Sequence, residues 1–230
     1  MRSRVVVLVI LCVIVSQLRL WDENLWIRLY NHRKKRRYKP DKNPFVLKFT
    51  PSTRTLAQTV RDILQPKCCS LKTSAITRRI HGGFDSDEKG GALYYNHLKA
   101  LCTQEELTTL HNIRDSVLDD VSKLIGKPLY PFRSSMWNVF YLHYSGKKGQ
   151  FGWHYDHEDA TDFRVLVCVD ATEGVGAVEY VDSSGNVQSV ELTTGEAYIL
   201  CGSQTYHRVR ANKTDNDRRV MLGFHCSTLP

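Results

Sequence analysis

Gly176-Ala-Val-Glu-Tyr-Val181, Asp182-Ser-Ser-Gly-Asn186 and Val187-Gln-Ser-Val-Glu-Leu192 run on without a break. Two short runs rich in β-branched residues flank a cluster of Asp, Ser, Gly and Asn. That is the composition of a strand, a hairpin turn and a returning strand. The pattern spreads in both directions. Beyond Pro131 the apolar period is 2, and eight strands are expected at roughly 137–144, 151–156, 163–169, 176–181, 187–192, 196–201, 205–210 and 218–225. Thr193-Thr-Gly195 marks another tight turn. Connections this short cannot join parallel strands, whose crossovers need a dozen or more residues. The expected fold is mostly β with helices packed on one face: a double-stranded β-helix, or jelly roll, of two antiparallel sheets.

Before Pro131 the period is helical. Thr103-Gln-Glu-Glu106 is a capping box, and Leu107, Leu110, Ile113, Val117, Leu118, Val121 and Leu124 share one face of the helix it opens, as far as Gly126. A second helix is expected over 52–65, with Leu56, Val60, Ile63 and Leu64 at helical spacing and Pro66 as its stop. Pro40, Pro44 and Pro51 mark 41–52 as linker, and Gly82-Gly83 and Gly90-Gly91 punctuate 67–92 as loop. The organisation is then 1–21 as signal anchor or signal peptide, 22–51 as basic linker, 52–135 as an N-terminal helical part and 136–230 as the jelly-roll core.

A chain of 230 residues with 42% apolar and 24% charged residues has the composition of a folded soluble domain, not of a disordered chain. No collagen, heptad or solenoid repeat occurs. The net charge of +8 resides wholly in the first forty positions, which hold ten Lys/Arg and two acids. Positions 41–230 hold 22 of each sign, whereas a domain that tracks phosphates is basic where it folds. No nucleic-acid partner is expected.

Val5 to Val15 is an unbroken apolar run behind Arg2 and Arg4, the pattern of a secretory signal. Extended through Leu18, Leu20 and Trp21 it reaches the lower limit of a membrane span, and the retained anchor is the preferred reading. Arg33-Lys-Lys-Arg-Arg37 would favour a cytosolic main domain, while Arg2, Arg4 and the amino terminus favour the reverse. The expectation is a membrane-anchored or secretory-pathway protein of the endoplasmic reticulum or Golgi with its main domain in the lumen. Of seven cysteines, Cys12 lies in the apolar run, Cys168 and Cys201 read as small buried hydrophobes, and Cys68, Cys69, Cys102 and Cys226 remain for bridges. Asn212-Lys-Thr214 is one glycosylation sequon.

The chemistry lies in Phe151-Gly-Trp-His-Tyr-Asp-His-Glu158. His154 and Asp156 are two apart and project to one side of an extended strand. His207, in Thr205-Tyr-His-Arg-Val-Arg210, is the candidate third ligand. Two histidines and a carboxylate occupy one face of an octahedron and leave three positions open, the arrangement of non-haem Fe(II) oxygen chemistry. Arg218 and Arg219 then lead a strand, and adjacent residues face opposite ways. Arg219 shares its face with Met221 and Gly223, which leaves space beside it, and can grip a carboxylate bidentately. Arg218 lies on the packing face of Val220, Leu222 and Phe224. Trp153, Tyr155 and His157 alternate away from the ligands. His143 and His225 read as structural, and Tyr141 falls on the face opposite Tyr144.

On these residues the chain resembles the Fe(II)- and 2-oxoglutarate-dependent dioxygenases, in particular their prolyl 4-hydroxylase-like branch. The resemblance covers about 136–228. Tyr144-Ser-Gly146 looks like the branch's Tyr-x-Gly before the His-x-Asp strand, and His154, Asp156 and His207 match its metal triad. Val175-Gly-Ala-Val-Glu-Tyr180 is similar to its Gly-Gly-x-Leu-x-Phe strand with valine in the first glycine's place. Arg219 matches the basic residue for the distal carboxylate of 2-oxoglutarate, twelve positions after His207 where the branch has nine to eleven; Arg218, at eleven, is its rival.

The resemblance implies Fe(II), 2-oxoglutarate as co-substrate and O2, with ascorbate as an accessory reductant. It places the 2-oxoglutarate tail on Arg219 and the Tyr144 hydroxyl. It implies oxidative decarboxylation to succinate coupled to hydroxylation of a protein or peptide side chain, prolyl by analogy with the branch. A nucleic-acid demethylase of the same superfamily is one alternative, and a jelly-roll module that binds metal without turnover is another.

Overall fold

The computed structural model describes residues 43–70, 90–132, 138–146, 151–156, 162–175 and 177–229. The expected signal anchor 1–21, most of the basic linker and loops 71–89 and 157–161 lie outside them. Among the described residues no helix is long and apolar enough to cross a membrane.

The elements in chain order are β1 (Val46–Phe49), α1 (Leu56–Ser70), β2 (Gly90–Leu93), α2 (Tyr95–Leu101), α3 (Gln104–Ile125), β3 (Tyr130–Pro131), β4 (Phe140–Ser145), β5 (Phe151–His154), β6 (Asp162–Ala171), β7 (Val178–Val181), β8 (Val187–Val190), β9 (Ala197–Leu200), β10 (His207–Val209) and β11 (Arg218–Ser227). A large sheet has the order β1-β9-β6-β11-β4-β2, with β3 also paired to β11; a small sheet has the order β5-β10-β7-β8. All the pairings are antiparallel. The eight expected strands all form, and two sheets face each other as the alternation required.

Strand alternation sorts the large sheet into two cores. Val165, Val167 and Val169 on β6, with Val220, Leu222 and Phe224 on β11, pack under the helices against Val60, Leu64, Leu110 and Val117. Leu166, Cys168, Tyr144, Tyr198 and Met221 turn the other way, toward the small sheet. The helices therefore cover one face and leave the other to line the space between the sheets. That second face holds the site.

Helix α3 starts where its capping box places it. Thr103 accepts from the Glu106 amide and Glu106 accepts from the Thr103 amide, which satisfies two orphan donors. It ends at Gly126, whose φ of 68° favours a residue without Cβ. The apolar stripe stops one turn earlier than expected, since Leu124 is 51% exposed in the last turn.

The structure departs from several sequence expectations. Residues 41–52 are not all linker: Val46–Phe49 pairs with β9 as an edge strand. The 67–92 loop ends in β2, which pairs with β4. Pro66 does not stop α1, which continues to Ser70; its last turn is tied down by Lys67 on Glu106 at 2.8 Å. Cys226 is not placed for a bridge, because it is buried under the helices with its thiol donating to the Phe163 carbonyl. The sequon asparagine is also unavailable in the folded chain: Asn212 is buried and its amide donates to the Asp217 carbonyl.

Gly223 leaves room for a ring, not for Arg219. It pairs with Phe140, and a Cβ on it would overlap the Phe140 ring. That ring cannot retreat, being fully buried against Tyr94 and His225. Gly223→Ala is expected to cost about 1–3 kcal/mol by overpacking, a fall of several degrees in Tm at this size. Thermal unfolding followed by circular dichroism checks it.

Candidate metal centre

The register of the small sheet sets His154 directly opposite His207. Both project into the space between the sheets, with ring centroids 4.3 Å apart. Asp156 follows β5, held by its amide on the Gly202 carbonyl. His154 Nε2 lies 3.4 Å from Asp156 Oδ1, and His207 Nε2 lies 3.7 Å from Oδ2. One ligand atom from each residue falls within 4.8 Å of the others. The structure thus brings together the three residues that the sequence pattern singled out.

In each imidazole Nδ1 is committed to the backbone, which turns Nε2 to the site. His154 Nδ1 meets the Gly152 carbonyl at 2.7 Å, and His207 Nδ1 meets the Thr205 carbonyl at 2.9 Å. A carbonyl can only accept, so both Nδ1 atoms carry a proton and both Nε2 atoms face the carboxylate. Burial, with His154 beside it, takes the His207 pKa down to about 3 against the pull of Asp156, so His207 is a neutral donor. Burial would raise the Asp156 pKa, but Arg164, His207 and His154 outweigh it and hold the carboxyl well below its usual range. The neutral imidazole of His207, the imidazole of His154 and an ionised carboxylate, converging and largely buried, fit a divalent cation of the Fe(II) type.

The two arginines at the head of β11 part as alternation requires. Arg219 is 3% exposed between the sheets, its guanidinium 4.9 Å from the ring centre of Tyr144, its partner in β4. Arg218 is exposed on the helix side and pairs with Asp170 at 2.8 Å. Tyr198 is buried on the same inner face as Arg219, and burial raises its hydroxyl pKa. Cys168 lines that face as well, its thiol pushed up to about 11 by burial. Trp153 and Tyr206 stack on each other at 5.3 Å, with Arg208 over the Trp153 ring, so they serve packing. Tyr155 is buried against Tyr206.

Arg164 was missed by the sequence reading. It projects from β6 on the inner face and reaches Asp156 Oδ1 at 3.0 Å, while its Nε donates to His225 Nε2 at 2.9 Å. The signal was present: Arg164 has the parity of Leu166 and Cys168, so it is a charge on the buried side of an apolar strand. His225 is structural in the sense expected, but its partner is this arginine.

Burial and the neighbouring Arg164 hold the His225 pKa well below the histidine range, against Asp156. The folded protein keeps this ring neutral, while the unfolded chain takes up a proton near pH 6.5. Stability is therefore full above that pH and declines as pH falls below it. For this one group the loss between pH 7.5 and 5.5 is about 1.4 kcal/mol. A urea midpoint should drop over that interval and drop less in His225→Gln.

No known family profile and no curated protein sequence matches the chain. Many solved structures do. A prolyl hydroxylase from Trichoplax adhaerens, in complex with a hypoxia inducible factor oxygen degradation domain peptide fragment, aligns with TM-score 0.55 and 10% identity over 92% of this chain and 93% of that one. SnoK, a non-haem alpha-ketoglutarate-dependent carbocyclase from nogalamycin biosynthesis, aligns with TM-score 0.56 and 14% identity over 86% of this chain and 83% of that one. HygX from Streptomyces hygroscopicus, with nickel and 2-oxoglutarate bound, aligns with TM-score 0.53 and 13% identity over 80% and 83%. The chain has the fold of these oxygenases, and a His-Asp-His cluster stands between its sheets.

Proposed function

We propose that the protein is an Fe(II)- and 2-oxoglutarate-dependent oxygenase that hydroxylates a protein or peptide side chain. One observation carries this reading: His154, Asp156 and His207 converge with both Nε2 atoms turned to the carboxylate. A bound iron would supply the activation of O2 coupled to decarboxylation of the keto acid. The chain's own residues do the rest. His154, Asp156 and His207 would hold that metal. Arg219, buried and positively charged, takes the distal carboxylate of 2-oxoglutarate, and the Tyr144 ring holds the guanidinium in place. The Tyr144 hydroxyl is a further donor to that carboxylate. The apolar walls around Leu166, Leu200 and Met221 exclude water from the reacting centre.

The peptide substrate rests on two supports, the neutral balance of 41–230 and the peptide carried by the Trichoplax neighbour. Prolyl specificity, an ascorbate requirement and a luminal position behind a membrane anchor at 1–21 belong to the same proposal. Incubating the protein with Fe(II), 2-oxoglutarate and a peptide library, and measuring succinate and a one-oxygen mass gain in the same reaction, tests it. Both are expected to vanish in Asp156→Ala. Metal binding without succinate or product would favour a non-catalytic module.

A further inference from the structure

We infer that Arg164 and His225 form a positioning pair that aims the Asp156 carboxylate for metal binding, an inference that rests on reading His154, Asp156 and His207 as ligands. Arg164 and His225 are register partners across β6 and β11, both on the face between the sheets. The Arg164 Nε donates to His225 Nε2 at 2.9 Å and Nη1 reaches Asp156 Oδ1 at 3.0 Å. A guanidinium is a rigid planar fork, so fixing Nε also fixes the direction of Nη1. His225 is itself fixed by edge-on contacts with Phe140 at 5.5 Å and Phe132 at 6.2 Å. Phe140 lies 5.8 Å beneath the guanidinium and occupies the space that Gly223 leaves.

The consequence falls on the two carboxylate oxygens. Oδ1 is engaged by Arg164 at 3.0 Å and lies 3.4 Å from His154 Nε2, while Oδ2 faces His207 Nε2 at 3.7 Å. Asp156 is thereby presented to a metal through one oxygen, which keeps open the positions that a keto acid and O2 require. Arg164 acts through Asp156, and His225 acts through Arg164.

The test uses the full-length protein, freed of metal by chelation and titrated with Co(II), reading both affinity and the ligand-field spectrum. His225→Phe keeps a ring and the arginine's charge but removes the acceptor. Arg164→Lys keeps the charge and loses the fork, and its partly exposed position makes it the deciding variant should His225→Phe fail to fold. Each is expected to weaken Co(II) binding roughly 10–100-fold and to change the spectrum, the usual cost of losing an outer partner of a ligand. His225→Gln, which retains an acceptor, is expected to stay within about threefold of the unsubstituted protein. Unchanged affinity and spectrum in His225→Phe and Arg164→Lys, with binding still lost in His207→Ala, would overturn the pair alone. Absence of His207-dependent Co(II) binding in the unsubstituted protein would overturn the metal reading and the pair with it.

Discussion

Substituting His207 by alanine is expected to eliminate succinate formation and to lower divalent-metal affinity by more than the roughly 10–100-fold that outer partners cost. The reasoning is geometric. His207 is 3% exposed, and its Nδ1 is committed to the Thr205 carbonyl, so only Nε2 is free to bind a cation. Among the described residues the metal-ligand cluster consists of His154, Asp156 and His207. His225 cannot stand in, because its Nε2 already accepts from Arg164. Removing the ring leaves two ligands, too few to fix a metal and present three adjacent open corners. The alanine variant should fold, and its thermal unfolding provides the control. Succinate output equal to that of the unsubstituted protein would remove His207 from the chemistry.

Arg219→Gln is expected to weaken 2-oxoglutarate binding by about 30-fold or more while leaving Co(II) affinity within a few-fold. Losing one partner of a buried, hydrogen-bonded charge pair costs about 2–5 kcal/mol, and every 1.4 kcal/mol is about tenfold. Glutamine keeps much of the volume between Tyr144 and Cys168 but has no charge to offer a carboxylate. Arg218→Gln provides the contrast. Arg218 lies on the opposite face, paired with Asp170, and its loss should leave the apparent KM for 2-oxoglutarate near its original value. A larger effect from Arg218 than from Arg219 would reverse the assignment.

The parts of this architecture legible in the sequence are those governed by alternation within a strand. The period of 2 located eight strands, and the same parity put His154 with Asp156 and separated Arg219 from Arg218. The capping box from Thr103 to Glu106 was equally legible, because its partners lie within one helical turn. Pairing between distant strands was not. Val46–Phe49 is four residues between two prolines, and it becomes a strand because β9 offers an open edge. Gly90–Leu93 begins with two glycines, and its strand character comes from β4. Parity put Gly223 on the inner face, but register decided that Phe140, not Arg219, fills the space beside it. Arg164 was overlooked for a related reason. A charge inside an apolar strand reads as an exposed edge until a carboxylate from another strand is seen to meet it.

Crystals grown with Mn(II) and 2-oxoglutarate, with diffraction data collected at an energy where manganese scatters anomalously, measure the central claim directly. A single anomalous peak is expected about 2.0–2.3 Å from His154 Nε2, His207 Nε2 and one Asp156 oxygen, the usual range for such ligands. A peak elsewhere, or none at these three atoms with the metal in excess, would contradict it.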